Sequence, residues 1–259
     1  MTLRKALLMI PLLLAVGACG SGSESGDDDG NGAGADGGNG GGGDTPQCSD
    51  GIDNDGDGYV DGFDPECTGP LDDREDSFAT GIPGDNIDAV KQDCFFDGDS
   101  GHGNDGCLLH TCCLLEGECP EELRPEQFDP DDCTPSQDCI DFCAPLTPPG
   151  CDCFGCCTIC QGDTCRDVLT NPAVAPDCTL DTITDEVLCP SCIKVDDCGP
   201  PGDDCADLEC NLCPGQTPED LPPECEEPEC PGDLDTCASD DDCGDGRYCS
   251  FGCCINIIT

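Results

Sequence analysis

The chain has 259 residues, 58 of them acidic against 8 Lys and Arg, and it carries a formal net charge of −50 and 31 cysteines. So acidic a surface repels nucleic-acid phosphates and anionic membrane faces, which excludes nucleic acid as a partner and selects cations. With no tryptophan and 4% aromatic residues it cannot fill one large apolar core. The expected fold class is therefore small and disulfide-rich, mostly irregular with short β-strands, little helix and a disordered N-terminal tether.

Residues 1–19 open with Arg4 and Lys5, followed by the apolar run Ala6 to Ala18. That run is shorter than the roughly 20 residues a spanning helix needs and suits a signal peptide. Its end, Val16-Gly17-Ala18-Cys19, resembles the lipobox of bacterial lipoproteins. The resemblance implies acylation of Cys19 and membrane attachment through an N-terminal lipid anchor. Gly20 stands where Asp would favour inner-membrane retention, so the outer membrane or cell surface is implied. With Cys19 acylated, one fewer than 31 cysteines remain, an even number suited to complete pairing. Residues 20–46 are Gly, Asp, Asn and Ser with almost nothing apolar, and form a flexible linker.

A first folded segment is expected over 47–130. It opens with Cys48 to Cys67, CSDGIDNDGDGYVDGFDPEC. Calcium takes six to eight oxygens, and a 12-residue loop can supply them from positions 1, 3, 5, 7, 9 and 12, with glycine at 6. Counting from Asp53, those positions are Asp53, Asp55, Asp57, Tyr59 through its backbone carbonyl, Asp61 and Asp64, with Gly58 at the turn. Position 12 is Asp rather than Glu, and Pro65 and the Cys48-Ser49-Asp50-Gly51 lead-in leave no room for the flanking helices of an EF-hand. The loop resembles the Cys-flanked Asp repeats of extracellular proteins such as thrombospondin type 3 repeats, which implies weak calcium binding, with Kd on the order of 10⁻⁴–10⁻³ M. A solvated acidic turn is the alternative. A Cys48–Cys67 disulfide is expected to close the loop.

Further along, a short helix is expected over 83–94. Asp97, Asp99, Asn104 and Asp105 form an incomplete second cation pattern, or else a polar loop clipped by Cys94 and Cys107. The two histidines, His102 and His110, lie near Cys112 and Cys113 without a recognisable metal-site spacing.

In 131–200, Cys151-Asp152-Cys153-Phe154-Gly155-Cys156-Cys157-Thr158-Ile159-Cys160 would suit zinc or iron–sulfur ligation in a reducing compartment and disulfides in an oxidising one. The export signal favours disulfides. Cys189-Pro190-Ser191-Cys192 has redox spacing without a surrounding βαβ pattern. Together with Asp85-Asn86-Ile87-Asp88 and Asp93-Cys94-Phe95-Phe96-Asp97-Gly98, these phrases resemble Cys-rich myxobacterial-type surface lipoproteins over roughly 47–200, a resemblance that implies surface location and adds nothing on mechanism.

Residues 201–232 form a Pro-rich acidic connector, and 233–259 a C-terminal knot. The tail's Cys order resembles whey-acidic-like modules, some of which inhibit proteases, but no inhibitory loop is recognisable. Its five cysteines need an outside partner, with Cys230 the nearest candidate. No Gly-x-Ser-x-Gly or His-Glu-x-x-His motif is present, so no enzyme is expected. The expected function is a non-enzymatic, calcium-binding surface lipoprotein serving structure, adhesion or envelope contacts with a protein or glycan. An extracytoplasmic copper- or zinc-handling protein is the alternative, ahead of a protease-inhibitor-like module.

Overall fold

The computed structural model describes residues 45–82, 88–98, 105–161, 164–199, 210–225, 227–230 and 232–257. The proposed acylation site Cys19, the tether up to residue 44, and Asp99, His102 and Asn104 lie outside the described residues. Regular structure is sparse. Three antiparallel two-stranded ribbons pair β1 (Lys91–Gln92) with β2 (Leu109–His110), β3 (Cys156–Gln161) with β4 (Thr164–Leu169), and β5 (Arg247–Ser250) with β6 (Cys253–Asn256). One α-helix, α1 (Gln137–Cys143), and a series of single 3-10 turns complete the described elements. No helix among the described residues is long and apolar enough to cross a membrane.

Disulfides do most of the work that a large apolar core does elsewhere. Every cysteine among the described residues is disulfide-bonded. Cys48 pairs with Cys67. Cys94 and Cys107 do not pair with each other. They pair with Cys143 and Cys139 respectively. The reason is local: Cys139 and Cys143 stand four apart on α1, so both project from one face of the helix and reach two separate partners. Ser136 caps that helix by accepting the Cys139 N–H at 3.1 Å. The helix expected over 83–94 is absent from its described part. Asp88 instead accepts the Val90 and Lys91 N–H groups, and the chain turns into β1.

The Cys-dense centre is likewise a disulfide framework. Cys151 pairs with Cys157, Cys153 with Cys198, Cys156 with Cys192, and Cys160 with Cys165 directly across the β3–β4 ladder. Cys189 pairs with Cys178, so Cys189 and Cys192 are not a dithiol couple. Asp152 is the polar hub of this region. It is buried, and its carboxylate accepts the N–H groups of Phe154, Cys156 and Val195, each at 2.9 Å. Burial still pushes its carboxyl up to about 6 against those three donors.

Three disulfides, Cys94–Cys143, Cys107–Cys139 and Cys113–Cys133, cross residue 130 and join the 47–130 and 131–200 segments covalently. The same two segments share an apolar cluster that includes Leu109, Leu114, Phe154 and Leu169. A second cluster, with Phe78, Ile159, Val168, Leu180 and Ile183, backs the Asp loop, and Tyr59 packs against it. In the tail, Cys230 pairs with Cys253, Cys237 with Cys249 and Cys243 with Cys254, so Cys230 is the outside partner that the five tail cysteines need.

Candidate metal centre

The Asp loop is built from side chains that turn back on their own backbone. One oxygen of Asp53 accepts the Gly56 N–H at 2.7 Å, one of Asp55 the Asp57 N–H at 3.0 Å, and one of Asp57 the Tyr59 N–H at 2.8 Å. Each such turn bends the chain and leaves the second carboxylate oxygen for another partner. Gly58 sits at φ +107°, a left-handed conformation that side-chain-bearing residues rarely adopt, which is why glycine occupies that position.

Two buried residues hold the loop's ends. Glu75 is fully buried and accepts the Asn54 N–H at 2.6 Å and the Asp61 N–H at 2.7 Å, one on each carboxylate oxygen. Asp61, itself at φ +49°, accepts the Asp50 and Gly51 N–H groups at 3.0 Å. The Cys48–Cys67 disulfide closes the loop outside this clasp. Tyr59 fixes the outer turn, donating its hydroxyl to the Gly215 carbonyl at 2.9 Å.

The carboxylates meet in two triads. Oxygens of Asp53, Asp55 and Asp57 lie within 4.8 Å of one another, as do oxygens of Asp57, Asp64 and Glu66. Asp64 and Glu66 are buried. One oxygen of Asp64 accepts the Glu66 N–H at 2.7 Å, while its Oδ2 has no hydrogen-bond partner. Glu66 accepts the Leu180 N–H at 3.2 Å. Burial pushes the Asp64 carboxyl up to about 9, and the neighbouring charges of Asp57, Glu66 and Glu75 push it further the same way. Glu66 rises to about 8, again through burial first and then Asp55, Asp57 and Asp76. Asp57 and Glu75 are raised by burial as well. A buried group of like charges with an orphaned oxygen is costly by itself, and a cation among them removes the cost. The donors are all oxygens, which suits a hard cation. Asp64 and Glu75 also approach the Cys67 sulfur, but that sulfur is tied in the disulfide and offers no thiolate.

Of the loop residues singled out by spacing, Asp53, Asp55, Asp57 and Asp64 lie in these triads. Asp61 lies outside them, with its carboxylate turned to the Asp50–Gly51 backbone. Glu66 and Glu75 were not anticipated. Glu66 falls two places beyond the 12-residue frame, and Glu75 is one acid among Asp72, Asp73 and Asp76 with nothing local to distinguish it. Of the second pattern, Asp97 and Asp105 are described but share no ligand triad. Asp105 is buried and accepts the Cys107 N–H at 2.9 Å. His110 accepts the Cys112 N–H on Nδ1, while Cys112 and Cys113 are paired with Cys119 and Cys133, so no thiolate joins it.

The centre is also a mechanical junction. In the 3-10 turn Asp61–Phe63, the Gly62 carbonyl accepts the Phe251 N–H at 2.9 Å. A Cβ on Gly62 would collide with the Cys249 carbonyl, so the C-terminal knot can dock only because that position is glycine. Asp240 in the knot accepts the Cys249 N–H at 2.7 Å and adds to the negative field at Asp61. Acidic groups able to hold a metal are therefore present, and they are wired to both the central and C-terminal disulfide regions. No protein-family model, curated protein or solved structure matches the chain.

Proposed function

We propose that this chain is a non-enzymatic, calcium-binding, disulfide-stapled lipoprotein of the outer membrane or cell surface, with a structural, adhesive or envelope-contact role. The observation that carries the calcium reading is the buried Asp64 carboxylate, whose Oδ2 lacks a partner while oxygens of Asp57 and Glu66 stand within 4.8 Å of the same residue's carboxylate. Calcium tolerates irregular, all-oxygen coordination and would satisfy those groups. Asp53, Asp55 and Asp57, with the Tyr59 carbonyl, would supply the outer ligands. The lipid anchor rests on the Val16–Cys19 motif and the exported character on the cysteine content. Bound calcium would rigidify the junction between the loop, the Leu180 segment and the C-terminal knot, which suits a stapled surface module presented on a tether.

The test is calcium titration of the full oxidised chain by calorimetry, repeated with Asp53→Ala plus Asp57→Ala. Saturable binding that the double variant loses is expected, and no binding up to several millimolar refutes the calcium reading. Copper and zinc titrated in parallel should bind no more tightly than calcium. The anchor is tested separately by metabolic incorporation of a fatty-acid label, which Cys19→Ser should abolish.

A further inference from the structure

We propose that the Asp loop holds two cations bridged by Asp57, an outer one against Asp53 and Asp55 and an inner, buried one against Asp64 and Glu66. This rests on the calcium reading above and goes beyond it in number, ligands and consequence. The carboxylates fall into two groups, one largely exposed and one reaching into the buried interior. Two oxygens on one calcium can be no further apart than twice the metal–oxygen distance, roughly 4.6–5.2 Å. Oxygens of Asp53, Asp55 and Asp57 lie within 4.8 Å of one another, and so do oxygens of Asp57, Asp64 and Glu66. Asp57 alone belongs to both.

An independent observation marks the inner position. Asp64 is 0% exposed, one of its oxygens is engaged by the Glu66 N–H, and the other is buried with no partner. A wholly buried carboxylate oxygen in that state needs a donor or a cation. Charge points the same way. Of the five carboxylates, those of Asp64 and Glu66 are buried, and ionising them with no cation beside them is strongly unfavourable.

The inner cation does a different job from the outer one. Glu66 also accepts the N–H of Leu180, which lies 114 residues further along the chain. Leu180 begins a 3-10 turn capped by Thr179 and buries its side chain in the cluster behind the loop. A cation on Glu66 therefore clamps the Asp loop to the Cys178–Cys189 segment, while the outer cation orders only the solvent-facing turn. The ligand class is a hard divalent cation that accepts carboxylate oxygens in irregular geometry, calcium before magnesium, because magnesium demands near-ideal octahedral coordination.

The experiment compares calcium equivalents bound by the full oxidised wild-type chain, Glu66→Gln, Asp64→Asn and Asp53→Asn, with amide hydrogen exchange at Leu180 measured alongside. Gln at 66 keeps an oxygen for the Leu180 N–H, so folding is retained. Glu66→Gln and Asp64→Asn should each bind one equivalent fewer than wild type, and in Glu66→Gln calcium should no longer slow exchange at Leu180. Asp53→Asn should weaken the outer equivalent and leave the Leu180 response intact. A single equivalent bound by wild type, or equal equivalents in wild type and Glu66→Gln, overturns the two-cation proposal while leaving calcium binding standing. No calcium bound by wild type overturns both.

Discussion

Replacing Asp64 by Asn should stabilise the calcium-free protein while weakening its hold on calcium. The Asp64 carboxyl is wholly buried and held at about 9, against an ordinary value of 3.8. Below pH 3.8 it is protonated whether the chain is folded or unfolded, and it costs nothing. Above that the unfolded chain releases the proton and the folded chain keeps it, so stability drains away as pH rises until the folded group ionises near 9. At pH 7 the interval from 3.8 corresponds to about 4 kcal/mol, an upper figure because relaxation and water entry soften buried charge. Asn carries no such penalty. It keeps an oxygen for the Glu66 N–H and places an amide among the acidic neighbours Asp57, Glu66 and Glu75. Urea unfolding with disulfides intact and calcium chelated should show Asp64→Asn more stable by about 2–4 kcal/mol at pH 7, with the gain vanishing near pH 4. The same variant should bind calcium at least about tenfold more weakly, having lost a charged ligand. A variant less stable than wild type at pH 7, or a gain that does not change with pH, would refute the reasoning.

Wild type should show the matching pH profile: in chelator its stability falls from about pH 4 towards pH 9 through Asp64 and Glu66, and saturating calcium flattens that fall, which thermal melts across the range would detect. Removing the loop clasp with Cys48→Ser plus Cys67→Ser should release about 3 kcal/mol of loop-closure restraint and make the 48–67 segment the first site of proteolysis in chelator, with calcium restoring protection. Gly62→Ala should undock the C-terminal knot at a cost of about 1–3 kcal/mol, read as faster hydrogen exchange at the Phe251 N–H, which Gly62 accepts. Asp152→Ala leaves three buried N–H groups without their acceptor and should cost about 3 kcal/mol or more, seen as a loss of correctly paired disulfides on oxidative refolding.

Much of the candidate centre was legible in the loop itself. Alternating acids at 53, 55 and 57 with glycine at 58 encode successive side-chain-to-backbone turns, and these are local interactions that spacing can reveal. Spacing could not show that the Asp61 carboxylate accepts the Asp50 and Gly51 N–H groups, a placement that goes with a left-handed backbone at Asp61. Glu66 and Glu75 were invisible because their roles depend on contacts with Leu180 on one side and with both ends of the loop on the other. The same is true of α1: a seven-residue helix around Cys139 and Cys143 is held by disulfides to Cys107 and Cys94, and its own sequence has too little apolar periodicity to announce it.

By itself the sequence determined the kind of molecule: strongly acidic, too poor in aromatics for one large core, and so rich in cysteine that disulfides had to supply the restraint. It also placed a crowd of carboxylate oxygens in one loop. Tertiary structure decided which cysteines meet, that Asp64 is buried with an unpartnered oxygen, and that Glu66 rather than Asp61 stands beside it. Composition and spacing act within a few residues, whereas disulfide partners and the neighbours of a buried carboxylate are set by segments up to 114 residues apart, brought together only when the whole chain closes.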